Sequence, residues 1–169
     1  MNTHPQITVI KNLISLLEQI PIDIYTKKTP ILTNGTIGEH VRHSIEFYQC
    51  CLQSIQNETL NYSLRKRDHE LEISTEKGLR ESNKILNRVK TALAAEDKAI
   101  ILYTASTKVA DSYQEVASSF SRELVYCMDH CIHHQFIIRT ALIALDHEHI
   151  LPENFGVAFS TLEYRAQCV

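Results

Sequence analysis

Only four glycines and four prolines occur in 169 residues. Tight turns draw heavily on those two residue types, so their scarcity argues against a turn-rich β-sandwich and for a few long helices. A surplus of one charge is missing as well: 17 basic and 20 acidic side chains leave a formal charge of -3. That balance offers no electrostatic grip on nucleic acid or on an anionic membrane, and neither is expected as a partner. Long apolar runs are also lacking. The opening stretch "ITVIKNLISLLEQI" is interrupted by Lys11, Asn12 and Glu18, which disqualifies it as a membrane span or the apolar part of a signal peptide. The five cysteines (Cys50, Cys51, Cys127, Cys131 and Cys168) are odd in number and contain no CxxC pair, against both a zinc ribbon and a disulfide framework. Reduced thiols serving as small hydrophobes in a cytoplasmic protein are the expectation. The length suits one domain over residues 1–169.

What is present is helical periodicity. Ile7, Ile10, Ile14, Leu17 and Ile20 recur every three or four residues and predict a helix over about residues 4–20, ended by Pro21. "TIGEHVRHSIEFYQCCLQSI" opens with Thr36 and Glu39 in capping-box spacing and carries the stripe Ile37, Val41, Ile45, Tyr48, Leu52 and Ile55. "STEKGLRESNKILNRVKTAL" predicts a third helix capped by Ser74 or Thr75, and a fourth runs over about residues 119–146 after "SSFS". Between helices two and three, "NETLNYSLRKRDHELEIS" has no period and reads as a connection. "KAIILYTASTKVADSYQEVA" is rich in β-branched residues and tyrosine, which suits a short hairpin, although apolar runs of this kind are ambiguous. The tail "LPENFGVAFSTLEYRAQCV" reads as an irregular surface segment. The fold class expected is mainly α: an antiparallel four-helix bundle, with room for a short β-hairpin before the last long helix.

Chemistry concentrates in "MDHCIHHQFII", which holds three histidines in five residues. At 100° per residue, Leu124, Cys127, Cys131, Ile138, Ala141, Leu142 and Leu145 define the inward side of the fourth helix. His130 and His134 fall on that side, one turn apart, and His133 lies off it. Imidazoles at i and i+4 are spaced to chelate one metal ion. A third ligand would come from "EHVRHS", where the wheel favours His40, since His43 lies nearly opposite Val41, Ile45 and Leu52. The competing reading is a polar core network or a solvated face.

Taken together and in order, "TIGEHVRHSIEFY", "LRKRDHELE", "SSFSRELVYCMDHCIHHQFII" and "LPENFGVAFSTLEY" resemble the DinB-like superfamily over about residues 33–164. The resemblance implies an up-down-down-up four-helix bundle, often a homodimer. It also implies a divalent ion on one histidine of the second helix and an HxxxH pair of the last long one. Matched residue by residue, those ligands are His43, His130 and His134, against the wheel's preference for His40; His40 and His133 remain alternatives. Members of the superfamily include thiol-dependent transferases using bacillithiol, mycothiol or glutathione.

Three neutral nitrogens would leave a coordination position open, the mark of a catalytic rather than a closed site. Zinc, nickel, iron and manganese all suit imidazole. The expected function is therefore that of a divalent-metal-dependent transferase or hydrolase acting on a small molecule, with a low-molecular-weight thiol as a candidate partner. A non-catalytic metal-binding or structural helical dimer is the alternative. Glu39, Glu46, Glu123 and Asp129 flank the histidines; Asp129 or Glu123 could orient an imidazole, and Cys127 with Cys131 could form a softer site. Arg65 and Arg67, beside Asp68, Glu70 and Glu72, belong either to a solvated loop or to a clamp for a substrate anion. The apolar side of "ITVIKNLISLLEQI" with Phe155 and Phe159 exceeds one core's needs on this reading, which favours a homodimer.

Overall fold

A computed structural model describes residues 4–105 and 113–168. Seven helices and a three-stranded mixed sheet occur among them. The expectation of a four-helix bundle as the whole architecture is therefore corrected to a mixed α and β fold.

The helices are α1 (Pro5–Leu17), α2 (Ile22–Tyr25), α3 (Ile37–Asn57), α4 (Glu70–Ile73), α5 (Thr75–Leu93), α6 (Phe120–Ala144) and α7 (Phe159–Gln167). The four long ones, α1, α3, α5 and α6, are those that the periodicity predicts. Each starts for a local reason. Pro5 occupies the first turn of α1, where its missing N–H costs nothing. At α3 the Thr36 hydroxyl accepts from the Glu39 N–H at 3.1 Å, at α5 Ser74 accepts from Lys77 at 3.2 Å, and at α6 Ser119 accepts from Arg122 at 3.3 Å. Such caps each contribute about 1 kcal/mol.

The strands are β1 (Thr59–Leu60), β2 (Ala99–Ala105) and β3 (Tyr113–Ser119), in the order β1-β2-β3. β2 and β3 form the hairpin anticipated from the β-branched run, pairing from Ala99 with Ser119 to Ala105 with Tyr113; its turn lies outside the described residues. β1 pairs parallel to β2, Thr59 opposite Ile101. It arises inside the stretch read as a connection, because two residues are too few to show a period of two. β3 runs straight into α6, so the sheet fixes where that helix begins.

One apolar core unites the long helices. Leu16, Tyr25, Ile37, Val41, Leu52, Val89, Ile138 and Leu142 are fully buried in it, each side chain contributing about 1.5–3 kcal/mol against exposure. α3 is the central element, packed against α6, α5 and α4. The tail also departs from expectation. It carries α7, and its Phe155 is fully buried in the core. The inward face of α1 (Val9, Ile10, Leu13, Leu16 and Leu17) is likewise consumed by the chain's own core. The surplus apolar surface that favoured a homodimer is thus not at those positions. No helix among the described residues is long and apolar enough to cross a membrane.

Candidate metal centre

α3 and α6 lie against one another with their histidines on the shared face. His130 and His134 come from α6, one turn apart, on the side that also buries Leu124, Cys127, Cys131 and Ile138. From α3 come His40 and His43, on the same turn as each other, with Phe47 one turn beyond His43. Among the described residues, His43, His130 and His134 form a group whose ligand atoms all lie within 4.8 Å of one another.

The nitrogens converge tightly. His43 Nε2 stands 2.8 Å from His130 Nε2, and His134 Nε2 stands 3.2 Å from His130 Nε2. Ligands at zinc–nitrogen distances of about 2.0–2.1 Å in tetrahedral geometry would be separated by about 3.3 Å, so the spacing fits a shared ion. The donor chemistry fits equally: among the described residues the group holds three half-buried imidazoles, no carboxylate and no thiolate, fewer than a full set of ligands. His40 does not enter the group. Its Nδ1 lies 2.9 Å from His134 Nδ1, a separation at which one of the two nitrogens carries the proton. With the proton on His134 Nδ1 and donated to His40 Nδ1, His134 presents an unprotonated Nε2 inward. That fixing of ring and tautomer is what metal-site histidines usually take from an outer partner.

The wheel misjudged α3 for a physical reason. Its aliphatic stripe marks only the direction of the apolar core, yet α3 is buried on more than one face. Ser44, Glu46, Phe47 and Cys51 are buried as well as Ile37, Val41 and Leu52. The histidines lie on a face of α3 that meets α6, where His43 reaches His130 and His40 reaches His134. His133 is exposed, as its position on the wheel predicts, though its ring lies 5.5 Å from that of His134 between centroids.

Aromatic rings wall the cluster. Phe47 stacks on His130 at 4.2 Å between centroids and on Tyr62 at 4.6 Å; Tyr126 lies 5.7 Å from His130. Phe47, Tyr62 and Tyr126 were not singled out from sequence, and on α3 only the i, i+4 spacing of Phe47 from His43 could have marked one. Arg65 places its guanidinium 5.5 Å from the Phe47 ring centre and donates from Nη1 to the Tyr62 carbonyl at 2.8 Å. Arg67 is exposed and plays no part in this wall.

The acids that flank the histidines in sequence turn out to have other partners. Glu123 is fully buried. Its oxygens accept from Tyr62 Oη at 2.9 Å, Ser118 Oγ at 2.6 Å and Arg122 Nη1 at 2.9 Å, tying the sheet and the 62–64 turn to α6 rather than orienting an imidazole. Glu46 accepts from the Asp68 N–H at 2.7 Å, with its other oxygen 3.8 Å from Arg65 Nε. Asp129 is exposed, and Glu39 lies in the first turn of α3 beside His40. The softer site is not formed either. Cys127 and Cys131 are buried. Burial pushes the Cys131 thiol up to about 12 and the Cys127 thiol well above its ordinary range, so neither favours the thiolate that a metal needs.

Burial, then the neighbouring cations and imidazoles, depresses the histidines. His43 falls from 6.5 to about 4, through desolvation first and then Arg65, His130, Arg42 and His40. His134 falls to about 3, through desolvation and then the other four histidines. At neutral pH the ligand lone pairs are therefore free. In metal-free protein the unfolded chain takes up protons at these positions near 6.5, while the folded chain resists until about 4 and 3. The stability of chelator-treated protein is expected to be steady above pH 6.5 and to fall as pH drops from 6.5 through 4. Urea titrations at pH 7.5, 6, 5 and 4.5 check this; a midpoint that rises on acidification would contradict it.

No family model matches the chain, and no solved structure matches it. FK506-binding protein 5 of Rhizopus delemar (strain RA 99-880) is 40% identical over 65 residues, 38% of this chain and 16% of that protein. The chain thus spans less than a fifth of that relative's length, and a match of this extent shows no family for it.

Proposed function

We propose that this chain is a divalent-metal-dependent enzyme of the DinB-like superfamily, a transferase or hydrolase acting on a small molecule, with His43, His130 and His134 as the metal ligands. The observation that carries the reading is the convergence of three Nε2 atoms, with His134 held from behind by His40. When bound, a zinc, nickel, iron or manganese ion would supply Lewis acidity at a position that the three histidines leave free. The chain's own residues do the rest. His40 sets the ring and tautomer of His134, the Phe47 and Tyr62 rings exclude water from one side, and Arg65 adds positive charge beside the cluster. An anionic nucleophile such as the thiolate of a low-molecular-weight thiol suits that charge. The half-buried state of all three ligands favours this reading over a closed structural site, which would shield them and supply a fourth protein ligand.

The test is metal analysis of protein purified without an affinity tag or chelator. About one equivalent of a transition metal per chain is expected. Less than about a tenth of an equivalent, with no rebinding on dialysis against zinc, nickel, iron(II) or manganese, would remove the reading.

A further inference from the structure

A pocket of about 450 Å³ lies between α6 and the C-terminal segment, within the size range of small-molecule sites. Its make-up is uneven in a way that specifies an occupant. Arg139 and Arg165 both line it, and among the described residues no carboxylate does. Ile132, Phe136 and Val157 supply apolar surface, with the Phe136 side chain left exposed. Arg139 donates one long bond, 3.3 Å from Nη1 to the Phe155 carbonyl, out of five N–H donors. The floor is firm. Gly156 at φ 71° presses so close to α6 that a Cβ there would stand 2.5 Å from the Phe136 nitrogen. His133 forms the wall nearest the metal centre, its ring 5.5 Å from that of His134 and 6.3 Å from that of His130.

We propose that this pocket binds a small organic molecule that joins an apolar body to a carboxylate, the carboxylate held by Arg139 and Arg165 and the apolar body against Phe136 and Val157. Guanidinium groups take carboxylates through paired, charge-assisted hydrogen bonds. Two of them, with no acid among the described lining residues, leave a charge that an anion would neutralise. Another cavity, of about 370 Å³ beside Ile55 and Phe120, suits the role less well. Its Arg88 and Lys98 already donate to the Leu52 and Ile55 carbonyls of α3, and Glu96 shares the lining. That the occupant of the arginine pocket is the enzyme's substrate rests on the metal-centre reading; that the pocket binds it does not.

The experiment titrates the full chain with 4-phenylbutyrate and with its neutral amide, 4-phenylbutyramide, by calorimetry, both in metal-loaded and in chelator-treated protein. The carboxylate is expected to bind at least about tenfold more tightly than the amide, since charge-assisted hydrogen bonds to guanidinium are stronger than neutral ones. Arg165→Gln, at an exposed position, should lose about tenfold or more for the carboxylate with no change in melting temperature. Arg139→Gln should lose as much carboxylate affinity, and Thr161→Trp, also at an exposed position, should block both compounds while leaving both guanidiniums in place. Equal affinity for acid and amide, or unchanged binding in the Arg139→Gln/Arg165→Gln double variant, would overturn the proposal. Carboxylate binding by protein that takes up no transition metal on dialysis would sustain the pocket and sink the enzyme reading. Metal binding without carboxylate binding would do the reverse.

Discussion

His134→Ala is expected to empty the proposed metal site, weakening divalent-ion binding by at least about 100-fold. Loss of an outer partner alone typically costs about 10–100-fold, and His134 is the ring on which the cluster turns: Nε2 faces His130 at 3.2 Å and Nδ1 faces His40 at 2.9 Å. A two-histidine remnant has neither the ligand count nor the fixed geometry of the original. His40→Ala should fall between, keeping one site per chain with affinity reduced by about 10–100-fold. His133→Ala should bind like wild type, because His133 is exposed and outside the ligand group. Metal-free His134→Ala should melt within about 3 °C of wild type. The cavity left by a half-buried ring is offset by relief of polar groups crowded without an ion. Competition titrations against a chromophoric chelator read the affinities. If His133→Ala empties the site and His134→Ala does not, the ligand assignment is wrong.

Gly38→Ala is expected to be the most damaging of the single-methyl changes to the α3 scaffold. In a free helix the exchange would stabilise by about 1 kcal/mol. Here a Cβ at residue 38 would lie 2.0 Å from the Glu72 carbonyl oxygen and 2.9 Å from Tyr25 Cε1. Backbone cannot swing aside as a flexible side chain can, and Tyr25 is held by its own bond to the Leu71 carbonyl at 2.6 Å. The clash outweighs the propensity gain. A net loss of about 3 kcal/mol follows from forced overpacking, or about 6–12 °C in melting temperature for a chain of this size. Because Gly38 sits in the turn that carries His40, weaker metal binding should accompany the loss. Thermal melts followed by circular dichroism check it; an unchanged or raised melting temperature would mean that α4 does not pack this closely on α3.

The amino-acid sequence by itself determined a good part of this protein. Cap residues and apolar repeats act within a few residues of chain, so the start of α3 at Thr36 was legible, that of α5 to within Ser74 or Thr75, and that of α6 to the serine cluster around Ser119. The same holds for the common orientation of His130 and His134, set by a helix turn of 3.6 residues, and for the β-branched run that becomes β2 and β3. Tertiary structure alone decided the rest. Whether His40 or His43 meets His130 depends on which flank of α3 faces α6. A wheel cannot show that for a helix buried on several sides, since the aliphatic stripe reports only one of them. β1 pairs with a strand some forty residues away, and its two residues carry no pattern of their own. Glu123 and Cys131 sit beside the histidines in sequence. They acquire their roles as a satisfied anchor and a buried thiol only when Tyr62, Ser118 and the core close around them. Phe155 became core because the tail folds back over α6, a contact between residues about twenty positions apart that no local periodicity encodes.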